Sequence, residues 1–241
     1  MAEVLITIGI IGLVAAMTLP SLVQNYQEKV TVNRLKKVYS TLSQLYLLVS
    51  EIDGPPDQWG FAYREDGTTN LSGTIQNIFK KHLRQLQICE DDYCQRPTYK
   101  LLNGSEHGNS SYTIGNNAMI LEDGTILRAN IDDGNQLDCS LKRGTTNALK
   151  NVCFSIHVDI NGRQNPNTYG RDVFAFYWTK FGIVPVGTAE ENSHVSFNTC
   201  SLSNSSNYSG YGCAAWVLAF ENMEYLHCDG LSWNGKKSCK N

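Results

Sequence analysis

The stretch Asp159-Ile-Asn161-Gly162-Arg-Gln-Asn165-Pro166-Asn167-Thr-Tyr-Gly170-Arg-Asp172 concentrates side-chain oxygens and turn formers behind an apolar run. Hard cations such as calcium take about six to eight oxygens, commonly from Asp, Asn and backbone carbonyls of such loops. Asp159, Asn161, Asn165 and Asp172 are the candidate ligands. The same side chains can instead bond their own backbone in Asx turns. The full EF-hand pattern and its closing glutamate are missing, which favours the turn. No resident cofactor is therefore expected, with calcium as the alternative.

The chain carries eight cysteines and no C-x-x-C, the closest pair being Cys89 and Cys94. Zinc-finger and thioredoxin-like spacings are thus absent, and disulfides made in an oxidising compartment are the better reading. Eight cysteines allow about 105 complete pairings. Joining sequence neighbours gives Cys89–Cys94, Cys139–Cys153, Cys200–Cys213 and Cys228–Cys239. If all pair, no thiol nucleophile remains. The five histidines, His82, His107, His157, His194 and His227, lack metal-ligand spacing. No G-x-S-x-G, H-E-x-x-H, G-x-x-x-x-G-K-[ST] or G-x-G-x-x-G occurs. Catalysis is not expected.

Glu3 is a carboxylate at the edge of twenty uncharged positions, Val4 to Val23. Desolvation makes such a charge costly unless it finds a cation, and a neighbouring chain's α-amino group is the nearest kind in a bundle of N-termini. A glutamate wetted by lipid head groups is the equal alternative. As a helix the run would extend about 30 Å, the hydrocarbon thickness of a membrane. A cleaved signal peptide would have a basic region first and an A-x-A-like site after, whereas here Glu3 comes first. Pro20 removes one helical hydrogen bond and, with Gly12, weakens the stretch between them, so a kink is expected near Pro20.

The element that must hold these residues does not end with the apolar run. Leu35, Val38, Leu42, Leu45, Val49 and Ile52 recur at spacings of three and four, a one-sided helical stripe. Asp53-Gly54-Pro55-Pro56 then stops the helix. One helix over residues 1–52 follows, apolar over 1–24 and amphipathic over 25–52.

Residues 53–241 read as one disulfide-rich head. Ile75, Ile78, Phe79, Leu83 and Leu86 predict a short amphipathic helix starting near Ser72–Thr74. Ala118–Glu122, Asp123-Gly124 and Thr125–Ile131 predict a hairpin with a type I′ turn. Cys153–Asp159 and Asp172–Thr179 are further strands, and Gly182–Val186, containing Pro185, suits a sheet edge. The fold class is α+β, a long N-terminal helix packed on a C-terminal antiparallel sheet. With 20 Lys+Arg against 23 Asp+Glu the net charge is −3, so no nucleic-acid partner is expected.

Met1-Ala2-Glu3-Val4-Leu5-Ile6-Thr7-Ile8-Gly9-Ile10-Ile11-Gly12-Leu13-Val14-Ala15-Ala16 resembles the N-terminal segment of type IV pilins and type II secretion pseudopilins. Asp159-Ile-Asn161-Gly162 followed by Gly170-Arg-Asp172-Val-Phe174 resembles a loop of many pilin-like proteins, as does the tail around Gly212-Cys213-Ala-Ala-Trp216. The resemblance implies processing by a prepilin peptidase, N-terminal methylation and a pilin-like fold. It further implies residence in the inner membrane, then export by pilus assembly machinery into an extracellular homopolymer of identical subunits. The family glutamate is fifth in the mature chain and Glu3 is third here, an offset of two. With that offset Gly12 and Pro20 fall where pilin helices lose helicity on assembly. A periplasmic pseudopilin of a type II secretion system is the alternative, and a membrane-tethered enzyme or binding module the remote one.

Overall fold

A computed structural model of the chain describes residues 2–59, 71–83, 87–88, 98–107, 118–130 and 138–240, with side chains in the first helix from residue 7 onward. Helix α1 (Ala2–Ile52) runs 51 residues, helical without interruption through Gly12 and Pro20. On either side of Pro20 hydroxyls turn back into the helix: Thr18 Oγ1 donates to the Val14 carbonyl and Ser21 Oγ to the Thr18 carbonyl, both at 2.9 Å. Such bonds satisfy polar groups without water. Gly54, in the left-handed region at φ +83°, ends the helix.

Six strands make an antiparallel meander in sequence order: β1 (Gln87–Ile88), β2 (Ala118–Ile120), β3 (Ile126–Asn130), β4 (Val152–Asp159), β5 (Val173–Thr179) and β6 (Gly182–Pro185). Every residue of β4 and β5 is buried, because both faces of the sheet are covered. On one face Phe154, Ile156 and Val158 pair with Trp178, Phe176 and Phe174 and meet Leu35, Leu42, Leu45 and Val49 of α1. Trp178, fully buried, packs its ring against Tyr46, Trp59, Phe79 and Phe154. The other face holds a second core of Tyr99, Leu101, Tyr169, Val173, Ala175, Tyr177 and Tyr211. β6 lies at the sheet edge, as its Pro185 requires.

Helix α2 (Leu71–His82) buries Ile75, Ile78 and Phe79, and helix α3 (Ala214–Phe220) buries Trp216. Leu83 follows the end of α2, and Leu86 lies outside the described residues. Two expectations need correction. Ile52 is exposed, being the last residue of α1, where the helix gives way to the Gly54 turn. The β2–β3 turn is not type I′, which needs positive φ at two central residues. Only Gly124 has it, at +83°, while the Asp123 carboxylate accepts the Thr125 N–H at 3.1 Å and pairs with Lys37 of α1 at 2.7 Å.

Among the described residues, three disulfides join Cys139 to Cys153, Cys200 to Cys213 and Cys228 to Cys239. Cys89 and Cys94 lie outside the described residues.

Candidate functional site

Two features stand apart from an ordinary packed head, and both trace to segments singled out in the sequence. The first is the N-terminal half of α1. From Thr7 to Gln27 every residue is exposed except the half-buried Ala15. Met17 is 70% and Ile11 68% exposed, whereas Leu35 and Val49 of the same helix are 0%. A helix apolar on all sides fits lipid or a bundle of other helices and not water. By length and composition this helix can cross a membrane, a property a signal sequence shares. Gly12 and Pro20 lie within its projecting half, and Glu3 lies near its start.

The second feature is the β4–β5 loop. Gly162 takes φ +68° and approaches the β2–β3 turn so closely that a Cβ there would meet the Gly124 carbonyl oxygen at 2.4 Å. Asp159 Oδ1 accepts the Asn161 N–H at 3.3 Å, the Asx turn of the sequence reading, and Oδ2 accepts the Tyr99 hydroxyl at 3.0 Å. Asp172 accepts the backbone N–H groups of Thr168 at 2.6 Å and Asn167 at 2.8 Å, tying the loop's return to its own end. Burial pushes the Asp159 carboxyl up to about 8, helped by the nearby Asp172 charge, and burial likewise raises Asp172. Among the described residues neither forms an ion pair.

Of the four candidate ligands, Asp159, Asn161 and Asp172 gather around the loop interior, and Asn165 is exposed, its Oδ1 accepting from Asn167 Nδ2 at 3.3 Å. Asn167, 4% exposed and left-handed at φ +48°, occupies the interior position that the sequence reading did not choose. The available signal was an asparagine two residues before the closing Tyr-Gly, since asparagine tolerates that backbone conformation better than most. The loop also floors a groove of about 310 Å³ under α1, lined by Gln24, Glu28, Arg34, Asn161, Pro166 and Asp172.

Four of the five histidines, scattered along the sequence, meet polar partners in space, and His194 packs on the Tyr208 ring. His82 Nε2 and Asp53 Oδ2 are 2.5 Å apart, and His227 Nε2 and Glu28 Oε1 2.9 Å. His107 and His157 share a buried cluster. His107 Nε2 meets the Tyr211 hydroxyl at 2.7 Å, His157 Nδ1 the Tyr169 hydroxyl at 2.8 Å, and the two tyrosine rings stack at 4.2 Å. Burial, then Arg128, then His107 hold His157 down to about 3, so it is neutral near pH 7. The cavity beside it is about 20 Å³, room for about one water and too small for a substrate. Glu224, Cys228 and Cys239 also converge, but both sulfurs are spent in a disulfide and offer no thiolate to a metal.

A family model described as a family of unknown function, DUF6613, matches residues 21–199. That is well over half of the chain. The chain belongs to this family. The DUF6613 match begins within the projecting half of α1 and spans the sheet and the β4–β5 loop, ending just before Cys200. No curated protein and no solved structure matches the chain.

Proposed function

We propose that this chain is the structural subunit of a type IV pilus-like filament. The projecting half of α1 would hold it in the inner membrane and then pack against identical helices in the filament core. The observation that carries this reading is one unbroken helix with two environments. Its stem is buried against the sheet while its first half offers large apolar side chains on every side. Those side chains leave water only against lipid or other subunits. A simple tether needs neither a rigid continuation into the head nor a glutamate at its leading edge. The likeness of residues 1–16 to pilin N-termini supports the same reading.

In this reading Glu3 pairs with the N-terminal amine of an adjacent subunit, and Gly12 and Pro20 bracket the stretch that can yield on assembly. A buried partnered carboxylate that loses its partner costs about 3–5 kcal/mol. Glu3→Ala should therefore reduce surface filaments, counted by electron microscopy in cells bearing a pilus assembly machine, while leaving the head's urea midpoint unchanged. A chain lacking residues 1–24 should be soluble and monomeric by light scattering. Long filaments from that truncated chain would refute the core assignment, and undiminished filaments from Glu3→Ala would refute the pairing.

A further inference from the structure

Charge is sorted unevenly along α1. Higher on the stem Lys36 pairs with Glu221 and Lys37 with Asp123, and around its far end Lys81 pairs with Asp53 and Lys180 with Asp57. Where the apolar half departs, the pattern reverses. Arg34 of α1 and Arg171 of the β4–β5 loop line the groove of about 310 Å³ beneath Gln24–Arg34, and among the described residues neither forms an ion pair. The two carboxylates that share the groove are engaged. Glu28 holds His227 Nε2 at 2.9 Å, and the buried Asp172 holds the N–H groups of Asn167 and Thr168. Asn165, Pro166 and Arg171 also line a second cavity of about 800 Å³, which adds Lys100 and Arg163 and no carboxylate. Those two cations likewise form no ion pair among the described residues. In a chain of net charge −3, a continuous recess with four such cations focuses a positive field and calls for an anion.

Position decides which anion. The groove begins at Gln24, one residue beyond the uncharged run, and follows α1 to Arg34, about 15 Å at 1.5 Å per residue. The head-group layer adds about 5–7 Å to each side of a bilayer's hydrocarbon, so a helix spanning Val4–Val23 sets Gln24–Gln27 within it. Tyr26 lines the groove at that level and is 69% exposed, an aromatic ring with a polar tip where such rings gather. Helical side chains lean toward the N-terminus, which carries the Arg34 guanidinium back down toward the same layer. Guanidinium groups meet phosphate oxygens through paired N–H donors, and the exposed Gln164 and Asn165 add amides suited to hydroxyls. We propose that this recess holds the head group of an anionic phospholipid from the leaflet on the head's side. Arg34 and Arg171 take the phosphate, and Lys100 and Arg163 strengthen the positive field of the same recess. The proposal rests on the reading that the apolar half of α1 enters the bilayer, and it fixes how the head sits on that bilayer before assembly.

The test uses the full chain in a neutral detergent, mixed with phosphatidylglycerol and phosphatidylcholine of equal acyl chains. The lipids it keeps are counted by native mass spectrometry. One cation near an anionic head group is worth about fivefold in binding, so two should favour phosphatidylglycerol by roughly 25-fold. Arg34→Gln and Arg171→Gln should each cut that preference about fivefold, with the thermal midpoint of the head unchanged. Lys81→Gln, at a cation paired with Asp53 near the other end of the stem, should leave the preference as it is. Millimolar inorganic phosphate should not displace the lipid. Equal retention of the two lipids by the wild type overturns the proposal, as does a preference untouched in both arginine variants. Displacement by millimolar phosphate assigns the recess to a soluble anion and overturns it too. Flotation with phosphatidylcholine vesicles separates this proposal from the reading beneath it. A chain that floats without lipid preference refutes the lipid site alone, and a chain that does not float refutes both.

Discussion

The Tyr46 hydroxyl of α1 donates to the Lys180 carbonyl at the β5–β6 turn, 2.7 Å away across 134 residues of sequence. The bond sits beside the packing of the Tyr46 ring on Trp178, so this part of the helix is held both by apolar contact and by a polar bond. From Ile8 to Gln27 no described residue is buried against the head. That division makes the first prediction. Leu42, 1% exposed against the sheet, should cost about 2–5 kcal/mol on replacement by Ala. Tyr46→Phe should cost about 0.5–1.5 kcal/mol. Leu13→Ala, at a position 59% exposed, should leave the head's urea midpoint unchanged. Equal losses from Leu42→Ala and Leu13→Ala in detergent would contradict the two-environment description.

Cys200 and Cys213 close a short loop that ends at the start of α3, and both are buried. Replacing both with Ala should lower unfolding free energy by about 2–5 kcal/mol, measured by denaturant titration under non-reducing conditions. Mass spectrometry of the natively isolated chain should find neither thiol alkylated. Full alkylation of both without prior reduction would show that the bridge does not form.

Acid should weaken the head through His157. Its folded pKa, about 3, lies below the unfolded value near 6.5, so between these pH values the unfolded chain binds the extra proton. The stability it contributes is therefore present above about pH 6.5 and is lost as pH falls toward 3. Asp159 acts with opposite sign. Its folded pKa is raised to about 8, so its contribution is present at low pH and lost as pH rises through 8. Comparing wild type with His157→Gln cancels the Asp159 part. The variant should lose less stability than wild type between pH 7 and pH 4.5. Parallel curves would mean that His157 is not buried neutral.

Much of the fold was legible because it rests on periodicity. The stripe from Leu35 to Val49, the apolar alternation of β4 and the aromatic run of β5 announced the helix and the sheet it covers. Gln87–Ile88 is too short for any alternation to show, and Ala214–Phe220 too short for a helical stripe, so β1 and α3 carried no comparable signal. The turn at Asp123 also meets partners distant in sequence, Lys37 and Gly162, which no local motif announces. At the loop, residue type identified Asp159 but not Asn167, since the backbone path through Gly162 and Gly170 selects which asparagine faces inward. His107 and His157 meet through stacked tyrosines contributed by separate loops, which no spacing along the chain could reveal.

Each disulfide joins cysteines that are consecutive in the sequence, with separations of 14, 13 and 11 residues. Among the described residues no bridge encloses another cysteine, and none must wait for a distant segment. A chain threaded from its N-terminus into an oxidising space presents the two members of each pair together, before the next pair arrives. First come, first joined is then also the native pattern. For these three pairs biogenesis makes little demand on a disulfide isomerase, and the order of arrival does the sorting.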